Sequence, residues 1–319
     1  MKKRILIYLL FSMLAMLAFS SLFLGAVTVP VQEMLSSPII WTIRMPRILL
    51  AALTGILLAT SGVILQGVLR NPLADPYILG VSAGAGVGAA FSLSTKLNFS
   101  FLGFSTTPIL AFLFALLAVL VVYRLSQVTE RSSPETLILA GVAVSSMAAA
   151  ILALIIILSG KLQSIYFWLL GSFSLSSYQD VLVLLPYAAL GLVFSYFYSK
   201  ELNALLLGEE MARSMGVEVD RIRFSMILVA TLMTAAAVSV SGLIGFVGLI
   251  VPHLVRLLIG PHHRALVPVS ALSGAILLII ADTAARTVLS PMEIPIGIVM
   301  SLVGAPFFLY VLRRRRMRK

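Results

Sequence analysis

Charged and nucleophilic side chains are scarce in this sequence, so the chemistry open to it can be taken cluster by cluster. Asp282 and Arg286 stand four residues apart inside an apolar stretch. Charge at such depth is costly and needs a partner. The spacing fits an ion pair on one helix face; it equally fits a functional reading, with Asp282 carrying a proton or Arg286 meeting something outside. Arg44 and Arg47 flank Pro46 just ahead of another apolar stretch, as interfacial anchors or as a docking patch for an acidic partner. The segment Leu207-Gly208-Glu209-Glu210-Met211-Ala212-Arg213-Ser214-Met215-Gly216 sets a short helical stretch between two glycines, with Met211 and Met215 one turn apart among charges. It reads as a solvated loop, or as an amphipathic helix that lies on a membrane or docks a partner.

Several chemistries are not expected. His262 and His263 are adjacent and would point apart on a helix, and Arg256 beside His253 repels a cation, so no metal site is expected. Cysteine is absent, which removes thiol nucleophiles, disulfides and cysteine metal sites. Neither H-E-x-x-H nor a nucleophile motif occurs, so no catalytic residue is expected. The phosphate-cradling G-x-x-x-x-G-K-[ST] is missing too: Gly160-Lys161 lacks the upstream glycine and is followed by Leu162. A transporter driven by ATP would therefore need its ATPase, with ATP and magnesium, from another subunit.

The elements that position these residues follow from composition. The 319 residues are 60% hydrophobic and 11% charged, with mean hydropathy +1.09. Soluble domains carry about 25% charged residues, so a soluble or nucleic-acid-binding protein is excluded despite the net charge of +11. With ~20 residues per crossing, the charge-free stretches give ten expected helices, at about 5–27, 48–69, 77–94, 107–124, 136–159, 181–199, 224–241, 246–259, 266–286 and 295–312. The first imitates a signal peptide but is too long for one and reads as an uncleaved span. The run 224–252 is too long for one helix and divides near Ser241, Gly242 and Gly245. Residues 162–179 read as a short helix and loop at one surface.

With the amino terminus in the cytoplasm, 18 of the 23 Lys and Arg residues fall inside and five outside, which supports cytoplasmic N- and C-termini. The basic tail Arg313–Lys319 then reads as an anchor on anionic lipid rather than a nucleic-acid arm. Gly80, Gly84 and Gly88 recur every four residues, a smooth face for close helix packing or for backbone approach to a substrate path. Ser61-Gly62 and Ser241-Gly242 hint at an internal repeat.

Taken together, several runs resemble the FecCD-type permease family, membrane subunits of ABC importers for iron–siderophores, haem and cobalamin. They are Arg44-Met45-Pro46-Arg47, Ser61 to Gln66, Arg70-Asn71-Pro72-Leu73-Ala74-Asp75-Pro76, Leu79 to Ala85, Leu139 to Val142, Trp168 with Gly171-Ser172, Gly208-Glu209-Glu210 with Ala212 and Gly216, Gly245 to His253 with Arg256 and Gly260, Ala281-Asp282 with Arg286, Glu293, Pro295-Ile296-Gly297, and Gly304 to Phe308. They keep the family's order from the second span to the last. One departure is Gly260-Pro261-His262-His263-Arg264, where many members have Asp before the His-Arg pair.

The resemblance implies an all-α, polytopic protein with ten transmembrane helices, of type II ABC importer permease architecture. Residues 1–319 would form one permease domain with a cytoplasmic coupling loop at about 200–223, in a bacterial or archaeal cytoplasmic (inner) membrane. It implies a homodimer or a pairing with a close paralogue, two cytoplasmic ATPase subunits docked on Gly208, Glu209, Glu210, Ala212, Arg213 and Gly216, and an extracytoplasmic substrate-binding protein docked on Arg44, Arg47 and Arg286. Trp168, Gly171 and Ser172 would border the outer mouth, and Ser132, Ser133 and Thr136 the inner gate. The permease would perform no covalent chemistry and hold no cofactor. Iron(III)–siderophore is the first expected cargo, as the family's commonest, with cobalamin or haem as alternatives. The rival class is a proton-coupled secondary transporter using Asp282.

Overall fold

Apolar stretches of this length have one structural outcome in lipid, because every backbone polar group must be satisfied within its own segment. The architecture is that of a computed structural model, which describes residues 2–25, 27, 29–30, 32, 36–95, 97, 99, 105–127 and 134–316. It is helical throughout, with no strand among the described residues. The helices are α1 (Lys2–Ser21), α2 (Met45–Val68), α3 (Val81–Ser94), α4 (Thr106–Ser126), α5 (Pro134–Ser159), α6 (Leu162–Leu169), α7 (Tyr178–Phe197), α8 (Ser199–Leu206), α9 (Glu209–Ser214), α10 (Val219–Ser241), α11 (Val247–Ile259), α12 (His263–Thr287) and α13 (Ile296–Arg316). A π-helical turn, Ile39–Arg44, leads into α2.

Six helices are long and apolar enough to cross a membrane: residues 39–68, α4, α5, α7, α10 and α12. Four shorter apolar helices accompany them, Ile5–Ser21, Val81–Ser94, Val247–Ile259 and Ile296–Val311. The expected ranges and the observed ones agree closely, with two differences. Helix α1 stops at Ser21 because the chain after it wraps the Arg44 guanidinium, which takes the carbonyls of Leu22 (2.6 Å) and Val27. Helix α8 follows α7 directly and buries Leu202, Ala204 and Leu205, a surface helix that hydropathy alone does not mark.

Helix α2 is the centre of the bundle. In residues 39–68 the apolar window is 78% buried, against 17% in α5, and α2 packs on α12, α10, α7 and α11. Small residues permit this. A β-carbon on Gly55 would lie 2.2 Å from the Gly274 carbonyl oxygen, and one on Gly274 would lie 2.3 Å from that of Gly55, so α2 and α12 touch backbone to backbone. The glycine face of α3 does the same on α4: β-carbons at Gly84 and Gly88 would fall 2.4 and 2.3 Å from the carbonyl oxygens of Phe114 and Leu110. Close packing is thus the use of that face. Ser61-Gly62 lies within α2, whereas Gly242 ends α10 with φ +69°, so the two dipeptides play different parts.

The break between α10 and α11 falls where the run 224–252 was expected to divide. Tyr77 pins it: its hydroxyl donates to the Ile244 carbonyl and accepts from the Ile244 N–H, both at 3.0 Å. Pro252 within α11 has no N–H to offer the Gly248 carbonyl four residues back. The Gln66 amide of α2 donates to that carbonyl instead, and to the carbonyl of Leu249, each at 3.3 Å.

Gly55→Val should therefore lower stability by about 1–3 kcal/mol or more, since backbone rather than a flexible side chain must yield. Gly245→Ala, with nothing within 4 Å of its β-carbon, should be neutral. Thermal unfolding of the detergent-solubilised variants checks both.

Candidate functional site

At the end of the bundle where α2 begins, three arginines and two carboxylates share one network. Arg47 reaches from the first turn of α2 to α12, where its Nε donates to both oxygens of Asp282 at 3.0 and 3.1 Å. Its second face donates to both oxygens of Glu293 at 2.9 Å. Arg286, one turn after Asp282, sits with Nε 3.5 Å from that carboxylate and donates to the Ser21 carbonyl at 2.8 Å. Arg44 closes the set on the carbonyls after α1. The buried charges thus find opposite charge or unpaired helix-end carbonyls, as removal from water demands.

The sequence correctly groups Arg44, Arg47 and Arg286, but expects them to face outward. They are 4, 5 and 4% exposed in the single chain, turned inward by Asp282, Glu293 and the end of α1. Asp282 is 1% exposed and lies between Arg47 and Arg286. The ion-pair reading of the Asp282/Arg286 spacing holds, enlarged by Arg47, which no local spacing could reveal.

Glu293 is the solvent-facing member, with a side chain 39% exposed. It accepts from Ser174 Oγ at 3.0 Å, and Ser174 shares a 2.6 Å hydrogen bond with Ser172. These groups line a cavity of about 460 Å³ together with Trp168, Leu175 and Gly242. Gly171, at φ +68°, lets the loop turn against the Leu243 carbonyl, and the Ser172 N–H donates to the Ser241 carbonyl at 2.8 Å. Trp168, Gly171 and Ser172 are therefore brought together, beside the break after α10.

At the opposite end of α2, α9 lies on the surface. Ala212 is buried, while Glu210, Met211, Arg213 and Met215 are exposed. Glu209 turns inward, to Arg70 after α2 (3.3 Å) and to Arg223 of α10. Arg223 also approaches Asp220 (3.7 Å), which accepts from Arg213 at 2.7 Å. That hydrogen bond pushes the Arg213 guanidinium pKa up from its ordinary value. An open groove runs between Arg70, Leu207, Glu210, Met211 and Ser214. Thr136, in the first turn of α5, donates to the Ser126 carbonyl that ends α4 (3.3 Å). Ser132 and Ser133 lie outside the described residues. His263 is fully buried, its ring nitrogen 2.8 Å from Asn203 Oδ1, and among the described residues no group of three His, Cys, Asp or Glu could hold a metal ion.

Sequence reasoning gave no role to Ser174, Glu293, Arg70, Asp220 or Arg223. The signal available was scarcity: with only 12 acidic residues in the chain, each one near an apolar stretch implies a basic partner.

Asp282→Asn should destabilise the protein by about 3–5 kcal/mol, because it strips the counter-charge from buried arginines. Glu293→Gln, at a half-exposed carboxylate, should cost about 1 kcal/mol or less. Thermal unfolding of both variants in detergent tests this order.

The arrangement can be set beside known proteins. The FecCD transport family matches residues 13–314. The cobalamin import system permease protein BtuC of Halobacterium salinarum is 46% identical over 88% of this chain and 74% of its own length. The hemin transport system permease protein HmuU of Yersinia pestis is 36% identical over 98% and 96%, and the Fe(3+)-citrate import system permease protein YfmD of Bacillus subtilis is 38% identical over 87% and 82%. Among solved structures, a metal-chelate type ABC transporter in an inward-facing conformation superposes with TM-score 0.87 at 34% identity, over 97% of this chain and 98% of that one. A family match across nearly the whole length and a shared fold agree: the chain belongs to the FecCD transport family, as a polytopic membrane permease subunit of an ABC importer of metal chelates.

Proposed function

We propose that two copies of this chain form the path of an importer for a large metal chelate, iron(III)–siderophore in the first instance, with ten spans and both termini in the cytoplasm. The observation that carries the reading is the pairing of an outer cavity, bordered by Trp168, Ser172, Ser174 and Glu293, with an exposed α9 at the far end of α2. Between them, α5 leaves Ala143, Ser146, Ala150 and Ala153 exposed, at spacings that put them on one helix face. A lipid-facing stripe has no need of small residues, whereas a wide, weakly binding passage between two copies does. A second cargo reading, cobalamin, is favoured by the relative that is 46% identical and named for it.

Two ATPase subunits would press on Glu210, Met211 and Met215 of the α9 region. Nucleotide-driven closure of that pair would then bias an inward/outward equilibrium. An extracytoplasmic binding protein would dock at the other end. Because Arg44, Arg47 and Arg286 lie beneath that surface, we assign the first contact to the loops their network holds, where Leu175 and Met292 are exposed. Asp282, locked between two guanidinium groups, does not fit the part of a proton carrier.

Proteoliposomes holding the permease, its ATPase and its binding protein should take up ferric hydroxamate, cyanocobalamin or haemin, tested separately, only with internal ATP. A pH gradient without the ATPase should drive none; uptake under that gradient would overturn the reading. Met215→Glu should cut ATPase co-purification by about tenfold, the loss of one well-placed apolar anchor, with the permease still inserted. Leu175→Asp should weaken binding-protein docking without that effect, as measured by titration of the purified partner.

A further inference from the structure

The ion pairs at this end divide α9 into two faces, one turned into the bundle and one exposed. Glu210, Met211 and Met215 point away from the bundle, whereas Glu209 points into it. Glycines bound α9 at both ends, and the Val217 N–H closes its last turn on the Ala212 carbonyl at 3.0 Å. Gly208 (φ +111°) and Gly216 (φ +81°) flank the helix in conformations that side-chain-bearing residues rarely adopt, and nothing lies within 4 Å of where a β-carbon would stand on either. These glycines serve backbone conformation rather than packing, Gly216 as the left-handed cap that ends α9.

The other end of the Glu209 contact is stiff. Arg70 directly follows the last turn of α2 with φ +47°, one of two non-glycine residues at positive φ among the described residues. Its N–H still donates to the Gly67 carbonyl at 3.2 Å. The loop beyond is fixed by Asn71, which accepts from the Leu73 N–H (3.0 Å) through its side chain and from the Ala74 N–H (3.0 Å) through its carbonyl. Gln66 ties the Ala74 carbonyl back to α2 at 3.4 Å. The backbone that carries Arg70 is thus fixed to the end of α2. Arg70 and Arg223 meet the same oxygen, Oε1 of Glu209. Arg223 holds the carboxylate against α10, and Arg70 carries it to α2, the helix on which α7, α10, α11 and α12 all pack.

We propose that Arg70 is a positioning residue for energy transfer: through Glu209 it delivers displacement of α9 to the central helix α2. This rests on the reading of α9 as the ATPase contact and adds the route by which force leaves it. Arg70 lies at the far end of α2 from the cavity and faces the inward side of α9, so cutting the link should spare ATPase binding and abolish its consequence inside the bundle.

The chain contains no cysteine, so spin labels can be placed at will. With Leu49→Cys on α2 and Leu158→Cys on α5, the label separation is measured by double electron–electron resonance in the complex with its ATPase, with and without ATP–Mg. In the labelled background, ATP–Mg should shift the distance distribution. In Arg70→Gln the shift should shrink by about fivefold or more, the lower range of inter-site coupling, while ATPase co-purification and hydrolysis stay within about twofold. Arg70→Lys, which keeps the charge, should restore most of the shift. An undiminished shift in Arg70→Gln overturns the proposal, and so does loss of ATPase co-purification in that variant, since Arg70 would then be part of the contact. Should Arg70→Gln fail to insert, Glu209→Gln cuts the same link from α9 and is judged on the same readout. If the background chain binds no ATPase, the reading of α9 falls, and that failure is seen before any Arg70 variant is compared.

Discussion

A charge removed from water must be met by an opposite charge within a few ångströms, and this requirement organises both ends of the molecule. Beside the cavity at Trp168 it draws Arg47 and Arg286 around Asp282 and sends Arg44 to the carbonyls left open where α1 ends. At the α9 end it draws Arg70 and Arg223 onto Glu209. The pairs cross between helices that are distant in sequence. They fix how α2 sits relative to α12 at one end and to α9 and α10 at the other. Between those two points the bundle contains almost no charge and relies on shape.

Shape there means backbone contact. Lipid gives apolar side chains little reason to prefer one another, so association rests on close fit and on polar groups satisfied across helices. Gly55 against Gly274, and Gly84 and Gly88 against α4, supply the fit. Ser61 against Thr234 (2.6 Å) and Gln66 against the carbonyls of α11 supply the polar contacts. Peripheral α5, by contrast, leaves most of its surface open.

Helix positions were legible in the sequence because a run without charge has one stable form in a bilayer, and the interruption near Gly242 follows from length and glycine content. Close packing by the face of Gly80, Gly84 and Gly88 was also legible at two of its positions, since small side chains at helical spacing leave few other uses. The direction of Arg44, Arg47 and Arg286 was not. Arg47 faces carboxylates only because Asp282 and Glu293 arrive from 235 and 246 positions away, and Arg44 and Arg286 turn to carbonyls at the end of α1, which the sequence around them does not reveal. Glu209 shows the same limit. Beside Glu210 in sequence it looks equivalent, and only the fold turns one inward and leaves the other exposed.

The division between α10 and α11 has a mechanical side. Tyr77 grips the intervening turn and Gln66 grips the first carbonyls of α11, and both belong to the segment running from α2 to α3. Helix α11 is thereby geared to α2, while α10 meets it through a joint with no continuous hydrogen-bond ladder. Any swivel of the central rod would carry this stub along, and the turn that borders Trp168 and the mouth of the cavity would have to follow.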